Sequence, residues 1–200
     1  MDGPTISLST KDKIIKATLE IIAEQGFQNV TVRKIASRAD VNIAAVNYHF
    51  GSKDIVIDKA LKYVTNQMKS VFTVLKDGEQ SPELRLQQFI RNYTEVISKY
   101  PDIIKYMIDQ KIHNCDSEVE YSEYLQNEGI DQIKHTLAEL RTSEDDSSLY
   151  MRTFQMLSCL SFPVLLGDQI QKWAGFDIYG GEMKGLYIDL LIRNIVGIPE

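Results

Sequence analysis

Wound as a helix at about 100° per residue, the stretch 43–50 (IAAVNYHF) gathers Val46 and Phe50 on one side. Ala44, Asn47 and Tyr48 fall on the other, and Ile43 protrudes at the start. The outward group has a definite chemistry. An asparagine amide pairs one donor with one acceptor, the pattern adenine presents in the major groove of DNA, and small apolar groups such as Ile43 and Ala44 fit a thymine methyl. Tyr48 can stack on a methyl or give its hydroxyl to a phosphate. Thr31 and Lys53 stand where flanking helices are predicted to begin, and free N–H groups with the helix dipole favour a phosphate there. Arg33 lies in the first turn after Thr31, within reach of a base or a phosphate. Each residue also has a plainer reading. Asn47 and Tyr48 can be ordinary surface, His49 a satisfied structural histidine, and Thr31 and Asn42 simply helix caps. Their coincidence in one segment favours the nucleic-acid reading.

Those side chains need elements to hold them. Ser9 and Asp12 have the spacing of a capping box, Ile14, Ala17, Ile21 and Ile22 recur at helical intervals, and Gly26 is a stop. A helix over 10–25 follows, with Phe27 and Val30 plugging the core behind it. Thr31 caps a second helix to about 39, whose inner stripe is Val32, Ile35, Ala36 and Ala39. Asp40-Val41-Asn42 reads as a tight turn, Asn42 caps the third helix over 43–50, and Gly51 ends it. Ser52 caps a fourth helix from Lys53 to about Lys76. Two short helices joined by a three-residue turn form a helix-turn-helix, in which the second helix enters the major groove. The turn usually takes glycine at its left-handed position, and Asp40 can adopt that conformation at modest cost.

The segment T31-V-R-K-I-A-S-R-A-D-V-N-I-A-A-V-N-Y-H-F-G-S-K-D54 resembles the N-terminal signature of the TetR family of transcriptional regulators, T-x-x-x-I-A-x-x-A-G-V-S-x-x-x-[LIV]-Y-x-[HY]-F-x-[SN]-K-[DE]. Upstream, Ile15, Ala17, Leu19, Ile22, Glu24 and Gly26 resemble the family's first helix. Two positions depart: Asp40 stands where glycine is usual, and Asn47 where tyrosine is common. The second departure puts the operator sequence in doubt, not the function. The resemblance assigns Thr31, Asn42, Tyr48, His49 and Lys53 mainly to phosphates. It assigns Arg33, Ile43, Ala44 and Asn47 mainly to bases. It also implies a homodimer on a palindromic double-stranded operator, and a ligand-responsive repressor as the function.

The remaining chain reads as helical throughout: about 81–99 with Pro82 at the first turn, 101–113, 117–141, 147–173 and 181–196. The expected class is all-α with about nine helices, comprising a DNA-binding head (1–53) and a ligand-binding and dimerisation body (54–200). The segments 150–166 and 186–196 are apolar on more than one face, so they are either internal or covered by a partner. The resemblance implies that these two helices pair with their copies, with Phe154, Leu157, Leu186, Leu190 and Arg193 at the dimer interface. Pro163 kinks the first of them. A small-molecule effector site falls among the middle helices, with Phe89, Tyr93, Ile97, Tyr106, Met107, His113, Tyr121 and Tyr124 as candidate lining. The plainer reading of such a stripe is core.

Composition sets the outer bounds. The chain has 200 residues, 44% hydrophobic and 25% charged, an ordinary globular balance. Net charge is −6, yet residues 1–53 carry seven basic and five acidic side chains. Two cysteines without C-x-x-C spacing speak against a disulfide framework and a metal site, and no cofactor is expected. His113-x-Cys115 is too sparse to hold a metal. No run approaches eighteen apolar residues, so no membrane span is expected, and the N-terminus has no apolar signal region. A cytoplasmic location follows. An enzyme is the second class considered, and no G-x-S-x-G, phosphate loop or metal triad recommends it. The third is a helical scaffold whose head has lost DNA affinity, for which Asp40 and the small basic excess argue.

Overall fold

The computed structural model describes residues 8–113 and 120–196, with residues 111–113 in backbone only. All regular structure among the described residues is helical. Contacts divide the chain into two units, residues 1–64 and 65–200. The division falls inside α4 (Lys53–Ser70), later than the 53/54 boundary expected from sequence.

The first unit is built by local signals. In α1 (Thr10–Gln25), the Ser9 side chain accepts from the Asp12 amide and Gly26 closes the helix at φ 79°. Thr31 caps α2 (Val32–Ala39) and Asn42 caps α3 (Ile43–Phe50), each accepting from the amide three residues on. Ile14, Ile21, Ile22, Ile35, Ala36 and Val46 interlock as the core of this unit. Val30 joins them, whereas Phe27 in the short 3-10 turn after α1 stays half-buried.

In the second unit α5 (Pro82–Lys99) is central. It packs against a 3-10 segment (Val71–Lys76), α6 (Pro101–His113), α8 (Ile130–Leu140), α9 (Asp146–Ala174) and α10 (Gly181–Val196). Two departures from the sequence reading occur here. The fourth helix does not run to Lys76 as α-helix, because its last turns tighten to 3-10 geometry after Ser70. The rod expected over 117–141 is α7 (Glu120–Tyr124), a π turn (Leu125–Gly129) and α8 in unbroken succession. Counting that rod once leaves nine helical rods among the described residues. The π turn lays Gly129 on the Phe72 ring, where an added Cβ would sit 3.1 Å from Cε1. Arg85 is buried at 6% exposure. It donates to the Leu75 carbonyl at 2.8 Å and pairs with Glu139.

Pro163 lies inside α9, whose backbone leaves helical geometry at Leu166 (φ −115°, ψ 17°). A proline has no N–H for the carbonyl four residues before it, here Cys159. Tyr187 Oη on α10 donates to that carbonyl at 2.6 Å, and Tyr179 Oη donates to the Leu160 carbonyl at 2.8 Å. Burial pushes the Tyr187 phenol up to about 12, so the donor form persists at neutral pH. Tyr187→Phe is expected to lower stability by about 1 kcal/mol, the usual net worth of one hydrogen bond, with the urea m-value unchanged. A loss twice as large in Tyr179→Phe, and none in Tyr187→Phe, would move the role to Tyr179.

Candidate nucleic-acid interface

The geometry of the α2-turn-α3 unit follows from Asp40. Its backbone sits at φ 53°, ψ 51°, the one non-glycine at positive φ among the described residues. The Val41 amide can then return to the Ala36 carbonyl at 3.0 Å, which ends α2 and redirects the chain into α3. Ala36 and Ala39 are buried in this corner, small enough for the close approach of α2 and α3.

On α3, Val46 and Phe50 face the core, at 1% and 9% exposure. Ile43, Ala44, Asn47 and Tyr48 lie outward, and Tyr48 reaches 86% exposure. His49 is half-buried, with its ring edge-on to Tyr48 at 5.1 Å. The outward face of α3 is therefore apolar and amide, with no formal charge. Around it stand capped helix starts. Thr31 Oγ1 accepts from the Lys34 amide at 3.2 Å and Asn42 Oδ1 from the Ala45 amide at 2.6 Å. The Thr31 hydroxyl proton and the Asn42 Nδ2 group remain as outward donors. Ser52 Oγ accepts from the Ile55 amide at 3.3 Å at the start of α4, beside half-buried Lys53.

The basic groups of α2 divide by partner. Arg38 forks onto both carboxylate oxygens of Glu24, at 2.8 and 2.6 Å, with Glu20 at 3.5 Å. Lys34 Nζ donates to Gln25 Oε1 at 2.7 Å. Arg33 is exposed and takes part in none of these pairs. With Ile21, Gln25, Lys34, Ser37 and Arg38 it lines an open cleft between α1 and α2. The Arg38 hydrogen bond holds the Glu24 carboxyl below its ordinary value of 4.5, against a smaller opposing effect of desolvation. A lowered folded-state pKa stabilises above the unfolded value and is lost as pH falls through the folded one. Wild type is therefore expected to melt above Glu24→Gln at pH 7, with the difference shrinking below pH 4.5. Melting curves at both pH values check this, and a difference independent of pH would refute the ion pair's contribution. The lock of Arg38 onto α1 was not foreseen from sequence, although Glu20 and Glu24, four apart, lie on one face of that helix.

The body candidates fall into two groups. Phe89, Tyr93 and Tyr121 are buried and meet half-buried Tyr124 around Phe72, which the sequence reading missed. Phe72 lies 4.8 Å from Phe89, 5.3 Å from Tyr124 and 6.3 Å from Tyr93, each edge-on. Tyr121 Oη donates to Tyr93 Oη at 3.1 Å, and burial raises the pKa of both phenols. Ile97 and Met107 are buried and Tyr106 is half-buried, on α5 and α6. The side chain of His113, and Cys115, lie outside the described residues. Phe154, Leu186, Leu190 and Arg193 are exposed on α9 and α10, and Leu157 is half-buried. Met151, Phe162, Leu165 and Trp173 extend the apolar exposure along α9, at 40 to 71%. A spacing of three or four residues could have flagged them. By length and composition α9 is also apolar enough to cross a membrane, with a mean hydropathy of 1.2 over its best window and a third of that window buried. This qualifies the expectation that no segment could do so.

Residues 14–59 match the family model described as bacterial regulatory proteins, tetR family. This stretch of the chain is similar to the N-terminal regulatory domain of that family. Among curated relatives, "Probable HTH-type transcriptional regulator YttP" of Bacillus subtilis (strain 168) is 44% identical over 87 residues, 42% of each chain. "HTH-type transcriptional repressor NicS" of Pseudomonas putida is 21% identical over 104 residues, 52% of this chain and 49% of that one. The chain thus spans half the length or less of these two relatives. A TetR transcriptional regulator from Legionella pneumophila superposes with a TM-score of 0.67 at 15% identity, covering 96% of this chain and 97% of that one. A TetR-like regulator from Rhodococcus sp. RHA1 gives 0.65 at 13% identity, with 96% and 100% covered. These two share the fold. The relatives and structures that this chain resembles here are described as transcriptional regulators.

Proposed function

We propose that this protein is a TetR-family regulator: a cytoplasmic, sequence-specific DNA-binding transcriptional repressor that acts as a homodimer on a palindromic operator and answers to a small-molecule effector. The observation that carries the reading is the outward face of α3. Four uncharged, recognition-competent side chains (Ile43, Ala44, Asn47 and Tyr48) project from a helix whose neighbours begin with open, capped N-termini. In this reading α3 lies in the major groove. Ile43, Ala44 and Asn47 contact bases, with Arg33 beside them. Thr31, Asn42, Tyr48, His49 and Lys53 hold the phosphates. The exposed apolar residues of α9 and α10 support pairing with a second copy, since monomers rarely leave such surface uncovered. The relative named as a repressor supports the sign of regulation. The aromatic cluster around Phe72, with its two buried hydroxyls, and Tyr106 and Met107 on α6 are the part of the body suited to a small, mixed-polarity effector.

The test is binding of the purified chain to duplex DNA across a salt series. Several phosphate contacts demand an affinity that falls steeply with salt, by about 10³-fold or more between 50 and 200 mM for six to ten contacts. A measurable affinity that barely responds to salt, or no binding at 50 mM, would replace the regulator reading with that of a helical scaffold.

A further inference from the structure

The geometry points to an operator whose half-site core, the base pairs under α3, is A·T, with any guanine contact displaced to the flank reached by Arg33. This rests on the DNA-binding reading above and adds the base composition. Guanine shows two acceptors in the major groove, and the usual bidentate reader is arginine or lysine. Residues 1–64 hold two arginines, Arg33 and Arg38. Arg38 is not available, because its fork is closed on Glu24 at 2.8 and 2.6 Å. Lys34 is held by Gln25. No basic side chain stands on the outward face of α3, which presents Ile43, Ala44, Asn47 and Tyr48. Its one polar head able to bind two adjacent base atoms is the Asn47 amide, and its donor–acceptor pair matches adenine N6 and N7.

The apolar members agree. Ile43, at 44% exposure, has no partner that would hold it away from solvent, and Ala44 beside it is too short to hydrogen-bond anything. Both are groups that gain from a thymine methyl and gain nothing from the cytosine amino group or guanine O6. With His49 half-buried against Tyr48, the further exposed donor on α3 is the Tyr48 hydroxyl, which the reading above gives to a phosphate. Arg33, exposed in the first turn of α2, is the remaining guanidinium. It projects from a different helix, so a guanine that it reads lies outside the α3 core.

Selection of bound duplexes from a random double-stranded pool by the full chain tests this, with wild type, Asn47→Ala and Asn47→Arg run in parallel. Asn47 is exposed, so neither variant threatens the fold. The expected result is a symmetric site with A·T pairs at the centre of each half. Asn47→Ala lowers discrimination against G·C at one pair per half-site by about 5- to 150-fold. Asn47→Arg turns that same pair to G·C. Half-site cores rich in G·C in the wild type would overturn the inference and leave DNA binding intact. So would an A·T preference untouched by both variants, which would be a readout of groove shape. Failure to enrich any symmetric site would instead overturn the DNA-binding reading itself.

Discussion

Replacing Leu186 and Leu190 together by glutamate is expected to leave a folded monomer that binds a two-half-site operator about 10²- to 10⁴-fold more weakly. That range is what an effective concentration supplies when two linked heads engage one duplex. The two leucines are 52% and 49% exposed, so glutamates there meet water within one protomer and cost the fold little. In the proposed homodimer their energetic value lies in contact with a second copy. They stand one turn apart on α10, and Phe154, Phe162, Leu165 and Met151 present a parallel stripe on α9 at 40 to 58% exposure. Burying leucines and phenylalanines yields about 1.5–3 kcal/mol each, and charges placed in such an interface oppose it directly. Sedimentation velocity and binding to single and paired half-sites make the check. Monomers with unchanged single-half-site affinity are the expected outcome. A variant that stays dimeric, or that loses single-half-site affinity equally, would separate this face from operator binding.

How far these features were legible in the sequence depends on their range along the chain. The capping hydroxyls and amides of Ser9, Thr31, Asn42 and Ser81 act three residues away, and Gly26 and Gly51 stop helices where they stand. The helices of the head could therefore be bounded from sequence, and the outward residues of α3 followed from its wheel. Asp40 in the left-handed region was likewise readable from the turn it must make. Interactions between distant residues were not. Arg38 reaches Glu24 fourteen residues back, Tyr187 reaches Cys159 across 28 residues, and Arg85 reaches Glu139 across 54. Which arginine is free and which is locked depends on how α1 and α2 cross, and no local pattern encodes that. The π turn at Leu125–Gly129 escaped for a related reason, since its purpose is tertiary: it brings Gly129 against Phe72.

The body aromatics pose the sharpest case, because a stripe of rings at helical spacing serves equally as core or as pocket wall. Phe72 separates the two. It is fully buried and touches Phe89, Tyr93 and Tyr124 edge-on, with Gly129 closing on its Cε1 side. If those contacts are packing, Phe72→Ala removes a ring from a filled site and lowers stability by about 3–5 kcal/mol. Chemical denaturation followed by helical circular dichroism reads this directly. A small aromatic such as benzene should then restore part of the loss in the variant while leaving wild type unmoved, because only the variant has the hole. If the rings instead border space kept for an effector, the same substitution costs less than about 1.5 kcal/mol, since the cavity term vanishes where the cavity already exists. Benzene would then stabilise wild type as well. The first outcome makes Phe89, Tyr93 and Tyr124 structural and moves the proposed effector site to the α6 side, toward Tyr106 and Met107. The second makes the Tyr93–Tyr121 hydroxyl pair the polar anchor of the pocket.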